Sequence, residues 1–166
     1  MHIHLLIMQI PPFSPVLPQL PCACATLRRT SRALTQTYAK HFRDSGMEVT
    51  QFTLLQALQR TGEITQRRLG EILVLDSTTL SRSLAPLHRN GWIAVRSGND
   101  RREKRIALSA SGEAQMQSAL QGWNDAQTRL KKLLGEDEWT ETMGAMERLT
   151  AAALVLEQNT ETGASV

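Results

Sequence analysis

Residues 76–108 read DSTTLSRSLAPLHRNGWIAVRSGNDRREKRIAL, and the pattern of this stretch decides the fold. Asp76 is suited to cap a helix, because its carboxylate can accept the unpaired N–H groups of a first turn. Gly91 is placed to end that helix, since it enters the left-handed conformation without a Cβ penalty. Between them, at about 100° per residue, Leu80, Leu84 and Leu87 share a narrow arc, while Thr78, Arg82, Ala85 and Arg89 lie opposite. One face is set to be buried. The other offers hydroxyls, a methyl and two guanidiniums, with no carboxylate beyond the cap, so it can approach a negatively charged surface closely. Pro86 removes one backbone bond and is expected to bend the second half of the helix. Beyond Gly91, the alternation of Ile93 and Val95 predicts a strand over 92–96, with 106–108 as its return partner. Ser97-Gly98-Asn99-Asp100 supplies the turn, and Arg101, Arg102, Lys104 and Arg105 make the hairpin basic.

Upstream, Thr50 and Thr65 are expected to cap two short helices. The first carries Phe52, Leu55 and Leu58 inward and closes at Thr61-Gly62; the second buries Leu69, Ile72 and Leu73. Before these, Leu27, Leu34, Tyr38 and Phe42 mark one face of a longer helix that starts at Pro21, runs to about Arg43 and stops at Gly46. Downstream, Ser109 caps a long helix carrying Met116, Leu120, Trp123, Leu130 and Leu134, and Gly135 punctuates. A last helix carries Trp139, Met143, Met146, Leu149, Ala153 and Leu156. These two stripes have no sheet to pack on in a chain of 166 residues. The economical solution is an intertwined homodimer in which the first, fifth and sixth helices of two subunits bury one another. The expected fold is mainly α with a small β-hairpin wing (α+β), a winged helix-turn-helix with an intertwined helical dimerisation region. Its expected organisation is an N-terminal arm (1–20), a dimerisation helix (21–47), a DNA-binding domain (48–109), C-terminal dimerisation helices (110–158) and a tail (159–166).

Charge follows the same division. Residues 61–108 hold nine basic and five acidic residues, whereas 109–166 hold four basic and nine acidic, so binding to a polyanion belongs to the first two thirds. The arm is broken by Pro11, Pro12, Pro15 and Pro18, and no Lys or Arg precedes Arg28, which argues against a secretory signal. No run reaches the roughly 20 apolar residues that span a bilayer. Two cysteines, Cys22 and Cys24, are too few for a disulfide framework, and a cytoplasmic setting is expected. There is no Gly-rich phosphate loop, no paired carboxylates on a shared face and no nucleophile beside a positioned histidine. The chain is therefore read as a non-enzyme, without catalytic residues, cofactor or metal. His41 and His88 are lone histidines without a second ligand at metal spacing.

At the hairpin a resemblance becomes specific. Asp100-Arg101-Arg102, followed by Ile106-Ala107-Leu108-Ser109 and Gly112, resembles the wing signature of the MarR family of transcriptional regulators. Leu69-Gly-Glu-Ile-Leu73, Asp76-Ser-Thr-Thr-Leu80 and Leu87-His-Arg-Asn-Gly91-Trp92 are similar to that family's third and fourth helices in order and spacing. The resemblance implies a homodimeric regulator binding a pseudo-palindromic double-stranded DNA operator, a repressor released by a small-molecule effector. By the same resemblance, Thr78, Thr79 and Arg82 face bases and phosphates, Arg102 enters the minor groove, and Asp100 steadies it. Thr65, Gln66, Ser77, Arg89, Arg101 and Lys104 are further DNA-contact candidates, the first two through hydroxyl, amide and helix N-terminus. The resemblance also points to an effector cleft lined by Cys24, Leu27 and Arg28, where Arg28 suits a carboxylate or phenolate. Two alternatives stand beside it. A helix start makes thiols more reactive, so Cys22 and Cys24 could serve an oxidant, electrophile or soft-metal sensor. A winged helix could also be a protein-interaction module with no DNA to read.

Overall fold

A computed structural model of the chain describes residues 22–98, 100 and 103–163. The arm at 1–20, the helix start expected at Pro21, and Arg101 and Arg102 of the wing lie outside the described residues, as do Asn99 and residues 164–166. The chain divides into two compact units, with the boundary between Ala126 and Gln127. The first holds α1 (Ala23–His41), a 3-10 turn (Arg43–Ser45), α2 (Val49–Thr61), β1 (Ile64–Thr65), α3 (Gln66–Leu73), α4 (Ser77–Arg89), β2 (Ile93–Ser97) and β3 (Lys104–Leu108). It also holds the first part of α5 (Ala110–Leu134), which continues into the second unit, where α6 (Glu136–Gly163) follows.

The leucine stripe of α4 is the centre of the first unit's core. Leu80, Leu84 and Leu87 are buried together with Leu55, Leu58, Leu69, Ile93, Ile106 and Met116. Each such leucine contributes about 2 kcal/mol by leaving water. An aromatic chain closes the other side: the Phe42 and Phe52 ring centroids are 5.1 Å apart, and Phe52 and Trp123 stack at 6.1 Å. The sheet is three-stranded and antiparallel in the order β1-β3-β2. Ile64 and Val95 both pair with Ile106, and Thr65 and Arg96 both pair with Arg105. Because directly opposed residues share a face, Ile106 turns its row inward while Thr65, Arg105 and Arg96 form a row on the outer face.

Two glycines let α5 approach the rest of this unit at main-chain distance. A Cβ on Gly112 would collide with the carbonyl of Trp92, and one on Gly122 with the carbonyl of His41. Hydrogen bonds fix the same contacts. Ser109 and Ser111 donate to the Gly91 carbonyl at 2.6 and 2.7 Å, and Gln115 Nε2 donates to the Ser45 carbonyl at 2.7 Å.

Several expectations need correction. The cap of α2 is Glu48 rather than Thr50: Gln51 reaches back to accept from the Glu48 N–H at 3.0 Å, which places Thr50 inside the helix. The first helix stops at His41, and a 3-10 turn precedes the left-handed Gly46 (φ 63°). Ile72 is not buried but 43% exposed, because so short a helix packs only one side, taken by Leu69 and Gly70. Leu27, Met143, Leu149, Ala153 and Leu156 are exposed in the single chain. The expected two-stranded hairpin gains β1 as a third strand, and its return strand starts at Lys104 rather than Ile106.

The turn between α3 and α4 holds one strained residue. Val74 caps α3 at φ 52° and ψ 47° with its side chain 52% exposed. A β-branched side chain in this region costs about 1–2 kcal/mol, whereas asparagine enters it readily. Val74→Asn is expected to stabilise the fold by about 1 kcal/mol, read as a higher urea midpoint at unchanged slope.

Candidate nucleic-acid interface

The start of α4 is organised by one carboxylate. Asp76 Oδ1 accepts the backbone N–H groups of Thr78 and Thr79, each at 2.9 Å, and Oδ2 accepts the Thr79 hydroxyl at 2.6 Å. These bonds, the Thr79 hydroxyl foremost, hold the Asp76 carboxyl below the ordinary aspartate range. A lowered folded value means that the stabilisation is complete above the unfolded pKa and is lost as pH falls through the folded one. The cap is therefore fully ionised at neutral pH. Asp76→Ala is expected to lower the thermal midpoint at pH 7, with the difference from the parent chain shrinking in acid, as scanning calorimetry at the two pH values would show.

The same bonds divide the hydroxyls by what remains to each. Thr79 gives its proton to Asp76 and keeps lone pairs for an incoming donor. Thr65 does the reverse: its oxygen caps α3 by accepting from the Arg68 N–H at 3.1 Å, leaving its proton free to donate to an anion. The side chains of Ser77 and Thr78 are exposed on the first turn of α4. Gln66 Nε2 donates to Ser81 Oγ at 2.7 Å, and Ser81 donates to the Ser77 carbonyl at 2.7 Å, so the starts of α3 and α4 are latched together.

The cations sort in a similar way. Arg67 and Arg68 are engaged by Glu71 at 3.1 and 2.9 Å, and the pair, Arg68 first, holds the Glu71 carboxyl low. Arg105 donates to Glu63 at 2.8 Å and pairs with Glu103 at 3.4 Å, while Arg96 reaches Glu63 at 4.0 Å. Glu63, foremost, keeps the Arg105 guanidinium even more firmly protonated than usual. Arg82, Arg89 and Lys104 are exposed and have no ion pair with any described residue. On α4 the two free guanidiniums stand on the side away from Leu80, Leu84 and Leu87, as the sequence pattern requires.

The structure thus brings Thr65, Gln66, Ser77, Thr78, Thr79 and Arg82 together at the joined starts of α3 and α4. It places Lys104 on β3 and Arg89 in the last turn of α4. Cys22, Cys24 and Arg28 lie elsewhere, exposed along the first turns of α1, with Cys22 as the cap rather than inside the helix. Sequence reasoning missed Glu63, Arg96, Ser81 and the β1 pairing. A two-residue strand gives alternation no room to register, and the Gln66–Ser81 latch joins residues 15 apart with no periodic signal. An exposed helix with small and cationic residues outward fits a major groove about 12 Å wide.

Comparison with known proteins agrees with this geometry. A profile described as MarR family matches residues 45–103. The structure resembles that of the transcriptional regulator MosR of M. tuberculosis crystallised with DNA, with a TM-score of 0.74 and 34% identity over 81% of this chain and 97% of that one. Apo MarR of E. coli shares the fold, at a TM-score of 0.63 and 20% identity over 79% of this chain and 98% of that one. Among curated relatives, YwoH of Bacillus subtilis, an uncharacterized HTH-type transcriptional regulator, is 26% identical over 52% of this chain and 64% of its own length. The HTH-type transcriptional regulator SarZ of Staphylococcus haemolyticus is 29% identical over 54% of this chain and 61% of its own length. The match therefore spans less than two thirds of either curated relative. No described helix is long and apolar enough to cross a membrane. With a structural relative 34% identical and matched over 97% of its length, the chain belongs to the MarR family of transcriptional regulators.

Proposed function

We propose that this chain is a dimeric, sequence-specific DNA-binding repressor in which α4 reads the major groove and the basic hairpin holds the adjacent backbone. The observation that carries this reading is the exposed face of α4, where Thr78, Arg82 and Arg89 stand free of ion pairs among the described residues on a helix anchored by three buried leucines. Thr65, Gln66, Ser77, Thr79 and Lys104 support it as phosphate or base contacts. Arg101 and Arg102, outside the described residues, are proposed as further contacts. In this reading 48–109 is the DNA-binding domain, and 21–47 with 110–158 joins two copies into a cytoplasmic homodimer. Exposed Leu27, Leu133, Met143, Leu149 and Leu156 favour the dimer, since a lone chain leaves so much apolar surface in water. Release by a small-molecule effector near Arg28 belongs to the same proposal.

Footprinting of the full-length protein on the fragment upstream of its own gene tests it. Two protected half-sites about one helical turn, roughly 10 bp, apart are expected, with affinity falling steeply as salt rises. Dimerisation without salt-sensitive duplex binding would instead favour a protein-interaction module.

A second reading has its own observation. Cys22 and Cys24 are both exposed at the start of α1, open to oxidants or electrophiles. If thiol chemistry releases the operator, peroxide abolishes binding by the parent chain and spares the Cys22→Ser/Cys24→Ser variant. Equal retention by both eliminates this reading.

A further inference from the structure

The outer face of the sheet carries a charge cluster that the proposed contacts do not use. Thr65, Arg105 and Arg96 stand side by side across β1, β3 and β2, each directly opposite its neighbour. Thr65, whose proton is free to donate, is already a phosphate-contact candidate. A phosphate reaching Thr65 is therefore within side-chain range of the neighbouring Arg105, and Arg96 is the next residue in the row. Both guanidiniums are held back by one carboxylate. Glu63, just before β1, takes Arg105 at 2.8 Å and Arg96 at 4.0 Å.

These pairs are open to solvent: the side chains of Glu63 and Arg105 are each 40% exposed, and that of Arg96 is 74% exposed. Pairs of this kind are weak and are screened by salt, so they give little to folding. They do alter what the surface offers a polyanion. A guanidinium already neutralised by a carboxylate releases fewer counterions when a phosphate approaches, and a phosphate that recruits it must first displace that carboxylate.

We propose that Glu63 limits sequence-independent DNA binding by occupying Arg105 and Arg96, which together with Thr65 form a latent subsite for a backbone phosphate. This rests on the DNA-binding reading above. Glu63 touches no base, yet it improves discrimination, because it lowers the phosphate attraction that every sequence shares and leaves the α4 contacts untouched. Glu103 assists from the other side of Arg105 at 3.4 Å, but Arg96 depends on Glu63 alone among the described residues.

The test is a cycle of full-length variants, E63Q, R96Q/R105Q and E63Q/R96Q/R105Q, titrated with a random-sequence 30-bp duplex between about 50 and 300 mM NaCl. E63Q is expected to bind about five- to tenfold tighter at the lowest salt, with a log–log salt slope steeper by about one. In the background lacking both arginines, the Glu63 substitution is expected to change neither quantity. Thermal melts of all four proteins check that the fold is intact. An unchanged or shallower slope in E63Q overturns the proposal. So does a gain that persists without the arginines, which would mark simple long-range repulsion by the carboxylate. If the parent chain itself shows no salt-dependent duplex binding, the DNA-binding reading fails and this inference falls with it; if the parent binds and the cycle is flat, only this inference fails.

Discussion

Arg82→Glu is expected to lower affinity for the operator fragment by about a hundredfold or more while leaving the fold intact. The side chain projects from the exposed face of α4 and has no ion pair with any described residue, so its removal breaks no described pair in the free protein. Truncating a guanidinium that contacts a base or phosphate costs about 1–3 kcal/mol of binding. A carboxylate at the same place adds repulsion from the phosphates. Arg67→Glu is the matching control. Arg67 is bound to Glu71 on α3, and its charge is already compensated before DNA arrives, so a smaller loss is expected. Fluorescence anisotropy on a labelled fragment at fixed salt reads both. A loss below about threefold for Arg82→Glu would remove α4 from the groove.

Gly122→Ala is expected to destabilise the first unit by about 3 kcal/mol. The added methyl meets the carbonyl of His41, and main chain at the end of α1 cannot rotate away as a side-chain tip would. Phe42, beside it at 3.5 Å from the same Cβ position, is fully buried and equally unable to yield. Gly144 on α6 gives the contrast. Its nearest neighbour is the flexible end of Arg148 at 3.2 Å, so Gly144→Ala is expected to stabilise by about 0.5–1 kcal/mol through helix propensity alone. Urea titration of the two variants should therefore show the same substitution acting with opposite sign.

The legible part of the molecule was the part governed by periodicity and capping. Asp76, Thr65 and Ser109 cap their helices as the sequence suggested, and Leu80, Leu84 and Leu87 are buried on one side of α4. Arg82 and Arg89 could be placed outward by the same arithmetic. What escaped was set by tertiary pairing. Only contact with β3 makes Ile64–Thr65 a strand, and only that pairing brings Glu63 to Arg105 across 42 residues. Thr50 failed as a cap because a hydroxyl is only one way to satisfy a first turn, and Gln51 satisfied it from inside the helix. Ile72 failed because a period of 3.6 marks a face as apolar without saying that anything will cover its edge.

The corner where Ser109 and Ser111 meet the Gly91 carbonyl has a mechanical meaning. With Gly112 pressed beneath Trp92, it leaves no joint between the end of α4 and the start of α5. A helix of 25 residues is about 37 Å long, and tilting such a rod by 5° sweeps its tip through about 3 Å. In the proposed dimer, an effector that tilted this rod would spoil the spacing of the twin heads on a duplex without unfolding either of them.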